Sequence, residues 1–89
     1  MRTPVFTSKF KQYRKLAGKR NKDLLKLDDV ISDLIDGILL PPKNRDHALS
    51  GNYVGRRECH IEPDWLLVYK VDDDLIIFER TGSHSDLFN

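Results

Sequence analysis

The 89-residue sequence predicts an α+β fold, with two N-terminal helices packed on one face of an antiparallel sheet of about four strands. Three observations carry that expectation. Between Phe10 and Ile38 the apolar residues recur at intervals of three and four, the spacing of a helix face. From Tyr53 onward they fall into short alternating runs separated by acidic turn signals, the pattern of a meander. The length admits one domain, residues 1–89, whose core buries only roughly 60–65% of the surface the unfolded chain exposes.

Taken in order, "RTPVFT" reads as a short first strand. Thr7 or Ser8 then caps a helix whose apolar face is Phe10, Tyr13, Leu16 and Ala17, with Gly18 placed to end it. Asn21 is expected to cap a second helix. Its stripe is Leu24, Leu27, Ile31, Leu34 and Ile38, widened by Val30 and Ile35, and Pro41-Pro42 stops it. Two such helices form an antiparallel hairpin with both apolar faces turned toward the C-terminal half of the chain. "PPKNRDHALSGN", residues 41–52, is the longest irregular stretch and reads as a loop. Three strands come after it, "YVGRRECHI", "WLLVYKV" and "LIIFERT", joined through "EPD" and "DDD". One sheet face covers the helices and the other is left open, as antiparallel sheets allow.

Composition narrows the function classes. A single Cys59 forms no internal disulfide, and "MRTPVFTSKFKQ" lacks the apolar run of an export signal, so the expected compartment is the cytoplasm. The region from Leu24 to Leu40 is broken by Lys26, Asp28, Asp29, Asp33 and Asp36, so no membrane span is expected. The net charge of +1 conceals an asymmetry. Residues 1–45 hold eleven Lys and Arg against five Asp, while residues 46–89 hold four against nine acidic residues. In the first helix Lys9, Lys11, Arg14, Lys15, Lys19 and Arg20 make a segment suited to a polyanion, although a solvated helix face has the same composition.

The stretch "ECHIEPDW", residues 58–65, holds the chemistry. In a strand, Cys59 and Ile61 share one face while Glu58, His60 and Glu62 point the other way, so His60 faces away from the core. His47 lies in the loop entering the sheet and His84 just beyond the last strand, after Gly82. Intervals of thirteen and twenty-four residues between the histidines match no zinc signature, so neither a metal nor another cofactor is expected. General acid–base chemistry needs groups titrating near neutrality, and histidine does so at roughly 6.5. On an RNA backbone, His47, His60, Asp64 and His84 are able to move the protons. Arg56, Arg57 and Arg80 are available to stabilise the crowded phosphate.

"RDHALSG", "RECHIEPDWLLVYK" and "FERTGSHSDLF", in this order and at these spacings, closely resemble the YafQ branch of the RelE-like bacterial toxins. The matching blocks run from Asp46 to Phe88, while the N-terminal half agrees in layout more than in wording. The resemblance implies a curved antiparallel sheet with two helices on one face, of the compact microbial ribonuclease type. It implies a ribosome-dependent mRNA endonuclease of a type II toxin–antitoxin system. It also implies a cognate antitoxin, of small ribbon-helix-helix type, through which alone the toxin would reach DNA. The family's catalytic histidines and aspartate fall on His47, His60, Asp64 and His84, with Trp65 and Phe88 as neighbouring substrate contacts. Phe88 is expected to stack on a base or ribose. One departure is Ala48, where the family frequently has a proline. Two other function classes fit the same residues. A module that blocks the ribosome or RNA without cutting leaves no new mRNA ends. A structural subunit with incidental histidines is indifferent to replacing His60 and His84.

Overall fold

The structure, a computed structural model, describes residues 1–88. Strand β1 (Thr3–Phe6) leads into helices α1 (Ser8–Lys19) and α2 (Leu24–Ile35). A loop containing the two-residue strand β2 (His47–Ala48) comes after them. The meander of β3 (Arg57–Glu62), β4 (Trp65–Asp72) and β5 (Leu75–Gly82) is next, and helix α3 (His84–Phe88) closes the described chain. The sheet has five strands in the order β1-β5-β4-β3-β2. The fold class is the one expected, with two corrections. His47-Ala48, read as loop, pairs antiparallel with Glu58 and Arg57 as a fifth strand. The sheet is mixed, because β1 runs parallel to β5 with Thr3 opposite Leu75 and Phe6 opposite Phe78. The α1–α2 hairpin makes the long connection that a parallel pair needs.

The helices form where expected, but their ends obey different residues. Thr7 caps α1, its hydroxyl accepting the Phe10 N–H at 3.0 Å and donating to the Glu79 carbonyl at 2.8 Å. Gly18 does not end α1. Asn21 does, at φ 62, with its N–H donating to the Gly18 carbonyl and that of Lys22 to Ala17. This double closure uses a left-handed residue just past the helix, a position asparagine tolerates. Asn21 is thus the stop of α1, and Asp23 caps α2 by accepting the Leu25 N–H. The same closure ends α2 early, at Gly37 (φ 74), with Ile38 N–H on the Asp33 carbonyl. The expected helix to Leu40 therefore stops at Ile35, leaving Ile38 and Leu39 exposed.

The helices bury one face of the sheet, and the other is covered in part, by different partners. On one face Trp65, Leu67, Tyr69, Cys59, Ile76 and Phe78 meet Phe10 and Ala17 of α1 and Leu27, Ile31 and Leu34 of α2. On the other, Leu66 and Val68 are covered by Leu87 of α3 and by Leu49. At roughly 1.5–3 kcal/mol for each large apolar side chain fully buried, the first cluster supplies most of the driving force. The second fixes α3 over the end of the sheet. A bulge between His60 and Glu62 corrects the expected alternation. It swings Glu62 toward the helices, where its carboxylate pairs with Lys22 at 3.3 Å and Lys26 at 3.0 Å. Glu58 and His60 keep the opposite face.

Candidate active site

Three imidazoles are anchored by the same nitrogen. His47 Nδ1 lies 2.6 Å from the Arg45 carbonyl oxygen and His60 Nδ1 3.2 Å from that of Pro63. His84 Nδ1 lies 3.0 Å from Asp64 Oδ1. Asp64 also accepts the backbone N–H of His84, and these two hydrogen bonds hold its carboxyl below the usual carboxylate range. All three partner oxygens therefore accept only. The Nδ1 atoms carry the proton, and each ring presents Nε2 for exchange with a substrate.

Local structure explains the convergence. Glu58 and His60 are two apart in β3 and share a face, and His47 stands directly opposite Glu58 across the β2–β3 pair. Glu58 is 5% exposed, with Oε1 3.6 Å from His47 Nε2 and 3.8 Å from His60 Nε2. Asp64 sits in the tight turn between β3 and β4, and His84 opens α3. The His60 and His84 rings are 6.1 Å apart, as are those of His84 and Phe88. The four predicted catalytic residues thus form one line around the sheet end, with Glu58 as an additional member. Strand alternation places Glu58 on this face but assigns it no role, because an acidic residue next to a cysteine carries no spacing signal.

Helix α3 is held by a reciprocal cap. The Ser83 N–H donates to Asp86 Oδ2 at 2.9 Å, and the Asp86 N–H donates to Ser83 Oγ at 3.2 Å. Arg20 Nη1 donates to the same carboxylate at 2.8 Å, and Arg80 Nη2 to the Asp86 carbonyl at 2.9 Å. The Arg20 guanidinium, followed by the Ser83 N–H, holds the Asp86 carboxyl below its ordinary range. Gly82 is required beneath this cap. Its φ is 153°, and a Cβ there would sit 2.8 Å from Asp86 Cβ and Oδ2.

Residues 2–89 match the family described as bacterial toxin of type II toxin-antitoxin system, YafQ. The chain belongs to the YafQ toxin family. A relative from Escherichia coli K12, named mRNA interferase toxin YafQ, is 45% identical over 84 residues, covering 93% of this chain and 91% of that one. The crystal structure of YafQ from E. coli BL21(DE3) matches with a TM-score of 0.95 at 42% identity, over 100% of both chains. A chain of the E. coli DinJ–YafQ complex gives 0.93 at 42%, again over 100% of both.

Within this YafQ-family fold the remaining expected site residues separate. Trp65 is not a surface contact: it is 1% exposed in the helix-side core, its indole N–H donating to Thr81 Oγ1 at 3.0 Å. It starts β4 on the face opposite His60, which sequence position beside Asp64 could not reveal. Arg57 also lies on the helix side, paired with Asp46 at 3.3 Å, where Tyr69 donates to the same carboxylate. Arg56 pairs with Glu79, and the Arg80 guanidinium rests over the Tyr13 ring at 4.9 Å. Phe88 is 38% exposed at the end of α3 and meets Tyr53 edge to face at 5.4 Å. Cys59 offers no nucleophile, since burial pushes its thiol up to about 12. Among the described residues no group of three or more His, Cys, Asp and Glu side chains is arranged to hold a metal ion.

The six cations of α1 divide by partner. Arg14 pairs with Asp28 at 2.7 Å and Arg20 with Asp86, so both are committed within the fold. Lys9, Lys11, Lys15 and Lys19 are exposed and make no ion pair among the described residues. Lys11, Lys15 and Lys19, spaced four apart, form one stripe of this toxin's helix.

Proposed function

We propose that the protein is a ribosome-dependent mRNA interferase, an endoribonuclease that cuts mRNA in the ribosomal A site until a cognate antitoxin neutralises it. The observation that carries this reading is the shared anchoring of His47, His60 and His84 through Nδ1, with the His60 ring 6.1 Å from that of His84 and both His47 and His60 beside Glu58. Support comes from membership of the YafQ family and from a relative named mRNA interferase toxin. The relative crystallised in the DinJ–YafQ complex supports an antitoxin partner, for which a small ribbon-helix-helix protein is proposed.

The reaction is a transfer within the RNA. His47 Nε2 takes the 2′-hydroxyl proton, the 2′-oxygen bonds to phosphorus, and the bond from phosphorus to the 5′-oxygen breaks. His84 Nε2 protonates that leaving oxygen, giving a 2′,3′-cyclic phosphate and a 5′-hydroxyl. Asp64 accepts the Nδ1–H of His84, so its role is to fix the orientation of the ring rather than to act as base. His60, beside Glu58 and 6.1 Å from the His84 ring, is placed to contact the pentacoordinate phosphate. Lys11, Lys15 and Lys19 dock on ribosomal RNA, and the toxin acts in the cytoplasm. None of these steps uses a metal ion.

The site is shallow and has little means of orienting a flexible RNA, and positioning supplies up to ~7–11 kcal/mol of a barrier. Purified protein is therefore expected to cut mRNA on translating ribosomes, with mapped 5′ ends in the A-site codon and undiminished activity in EDTA. Naked mRNA is expected to be cut far more slowly. Equal rates on naked and ribosome-bound mRNA, or ribosome stalling without new ends, overturn the proposal.

A further inference from the structure

Beyond the histidine line, the far side of α3 carries a second concavity of about 370 Å³ that the acid–base chemistry leaves unused. That volume is at the lower end of sites holding a small organic ligand, roughly 300–1,000 Å³. Its floor is Val68 and Leu87 and its mouth is Tyr53 and Phe88. These two rings stand at 89° with centroids 5.4 Å apart, and they are 40% and 38% exposed, an aromatic corner open to solvent. Lys9, Arg56 and Arg80 stand around it, together with Glu79, whose carboxylate pairs with Arg56. Arg80 is partly committed, to the Asp86 carbonyl and the Tyr13 ring, yet its Nε is buried without a hydrogen-bond partner. Lys9 makes no ion pair among the described residues. The exposed amide of Asn52 lies on the rim.

An apolar aromatic corner with Lys9 and Arg80 beside the Arg56–Glu79 pair fits a nucleotide, with the base against the aromatic rings and a phosphate against Lys9 and Arg80. An amide offering both donor and acceptor is what reads a base edge. The concavity is also in register with the chemistry. Phe88 is four residues after His84 on α3, one helical turn, and their rings are 6.1 Å apart. A strand of RNA whose scissile phosphate meets His84 therefore brings a neighbouring nucleotide to Phe88 and Tyr53.

We propose that Tyr53, with Phe88, Lys9, Arg56 and Arg80, forms a binding pocket for a nucleotide flanking the scissile phosphate, and that Asn52 gives this position a base preference. The inference rests on the RNA-cleaving reading above and assigns Tyr53 and Asn52 to it as positioning and specificity residues. Tyr53 lies in the short 3-10 turn Gly51–Tyr53, outside both hydrophobic clusters, so its replacement leaves the core intact.

The test uses non-cleavable 2′-O-methyl trinucleotides with free toxin, followed by NMR titration, alongside cleavage of ribosome-bound mRNA. Tyr53→Ala is expected to weaken trinucleotide binding about tenfold or more, and an abasic position in the probe to weaken wild-type binding by a similar factor. Tyr53→Phe keeps the ring and is expected to restore binding to within about threefold. On ribosomes, Tyr53→Ala raises the half-saturating concentration more than it lowers the saturated rate, and Asn52→Ala redistributes cleavage among codons. Equal affinity of wild type and Tyr53→Ala, or of base-bearing and abasic probes, overturns the pocket. So does a cleavage pattern unchanged in Asn52→Ala. If probes bind through Tyr53 but ribosome-bound mRNA stays intact, the pocket stands and the interferase reading falls.

Discussion

At the scale of single residues, the Nδ1 partner decides what each histidine does. His84 is held twice by Asp64, through its ring and its backbone, which leaves Nε2 as the nitrogen for the proposed proton donation. His84→Gln is expected to lower the single-turnover rate on ribosome-bound mRNA by about 10²–10⁴-fold with ribosome affinity unchanged. A loss of only a few-fold, measured on folded protein, would move the acid role to His60 or His47. The convergence of these residues was largely legible in the sequence, because alternation along "RECHI" set His60 apart from Cys59 and the toxin resemblance named the residues that the structure brings near it. Trp65 shows where that reading runs out. The resemblance made Trp65 a substrate contact beside Asp64, yet one step along a strand reverses the face. Trp65→Ala is therefore expected to cost about 3–5 kcal/mol in urea-melt stability and to abolish activity only through unfolding. A stable Trp65→Ala protein with impaired RNA binding would restore the contact role.

At the scale of elements, α3 is the part that sequence periodicity could not see. Five residues make too short a run for a helical pattern, and the helix stands through its cap and through Leu87 rather than through propensity. The signal was the pair Ser83 and Asp86 at capping-box spacing, legible only once Gly82 is known to end the strand. The helix stops at Asn21 and Gly37 were similarly hidden, since a left-handed residue closes a helix from outside its apolar stripe. Asp86 ionises more readily folded than unfolded, so the stability it adds is fully present above the ordinary carboxyl range, about 3.9. That stability is lost as pH falls through its lowered folded value. The gap in urea midpoint between wild type and Asp86→Asn is thus expected to be constant from about pH 5 to 7 and to shrink below about pH 4. A gap that persists undiminished at pH 2 would show that the carboxylate charge is not what anchors α3.

At the scale of the whole molecule, charge and topology each do one job. Of the cations in the N-terminal half, Arg14, Arg20, Lys22 and Lys26 are paired within the fold, while Lys11, Lys15 and Lys19 make an outward stripe. Reversing that stripe to Glu is expected to weaken ribosome binding at physiological salt and to flatten its salt dependence, by up to about one unit of slope for each phosphate no longer neutralised. Chemistry on a saturating ribosome concentration is expected to survive. Unchanged affinity and slope would return the stripe to a solvated surface.

The parallel pairing of β1 with β5 has a further consequence, one of timing. Thr3 to Phe6 cannot find their partners until residues 75–78 have left the ribosomal tunnel, and Thr7 waits for Glu79 in the same way. The segment that seals the first strand is followed within a few residues by His84 and Phe88. Completion of the architecture and arrival of His84 and Phe88 are therefore a single event in biosynthesis. A nascent chain whose residues 75–88 are still enclosed has neither its first strand paired nor its candidate site complete, and a chain cut short before them gains neither.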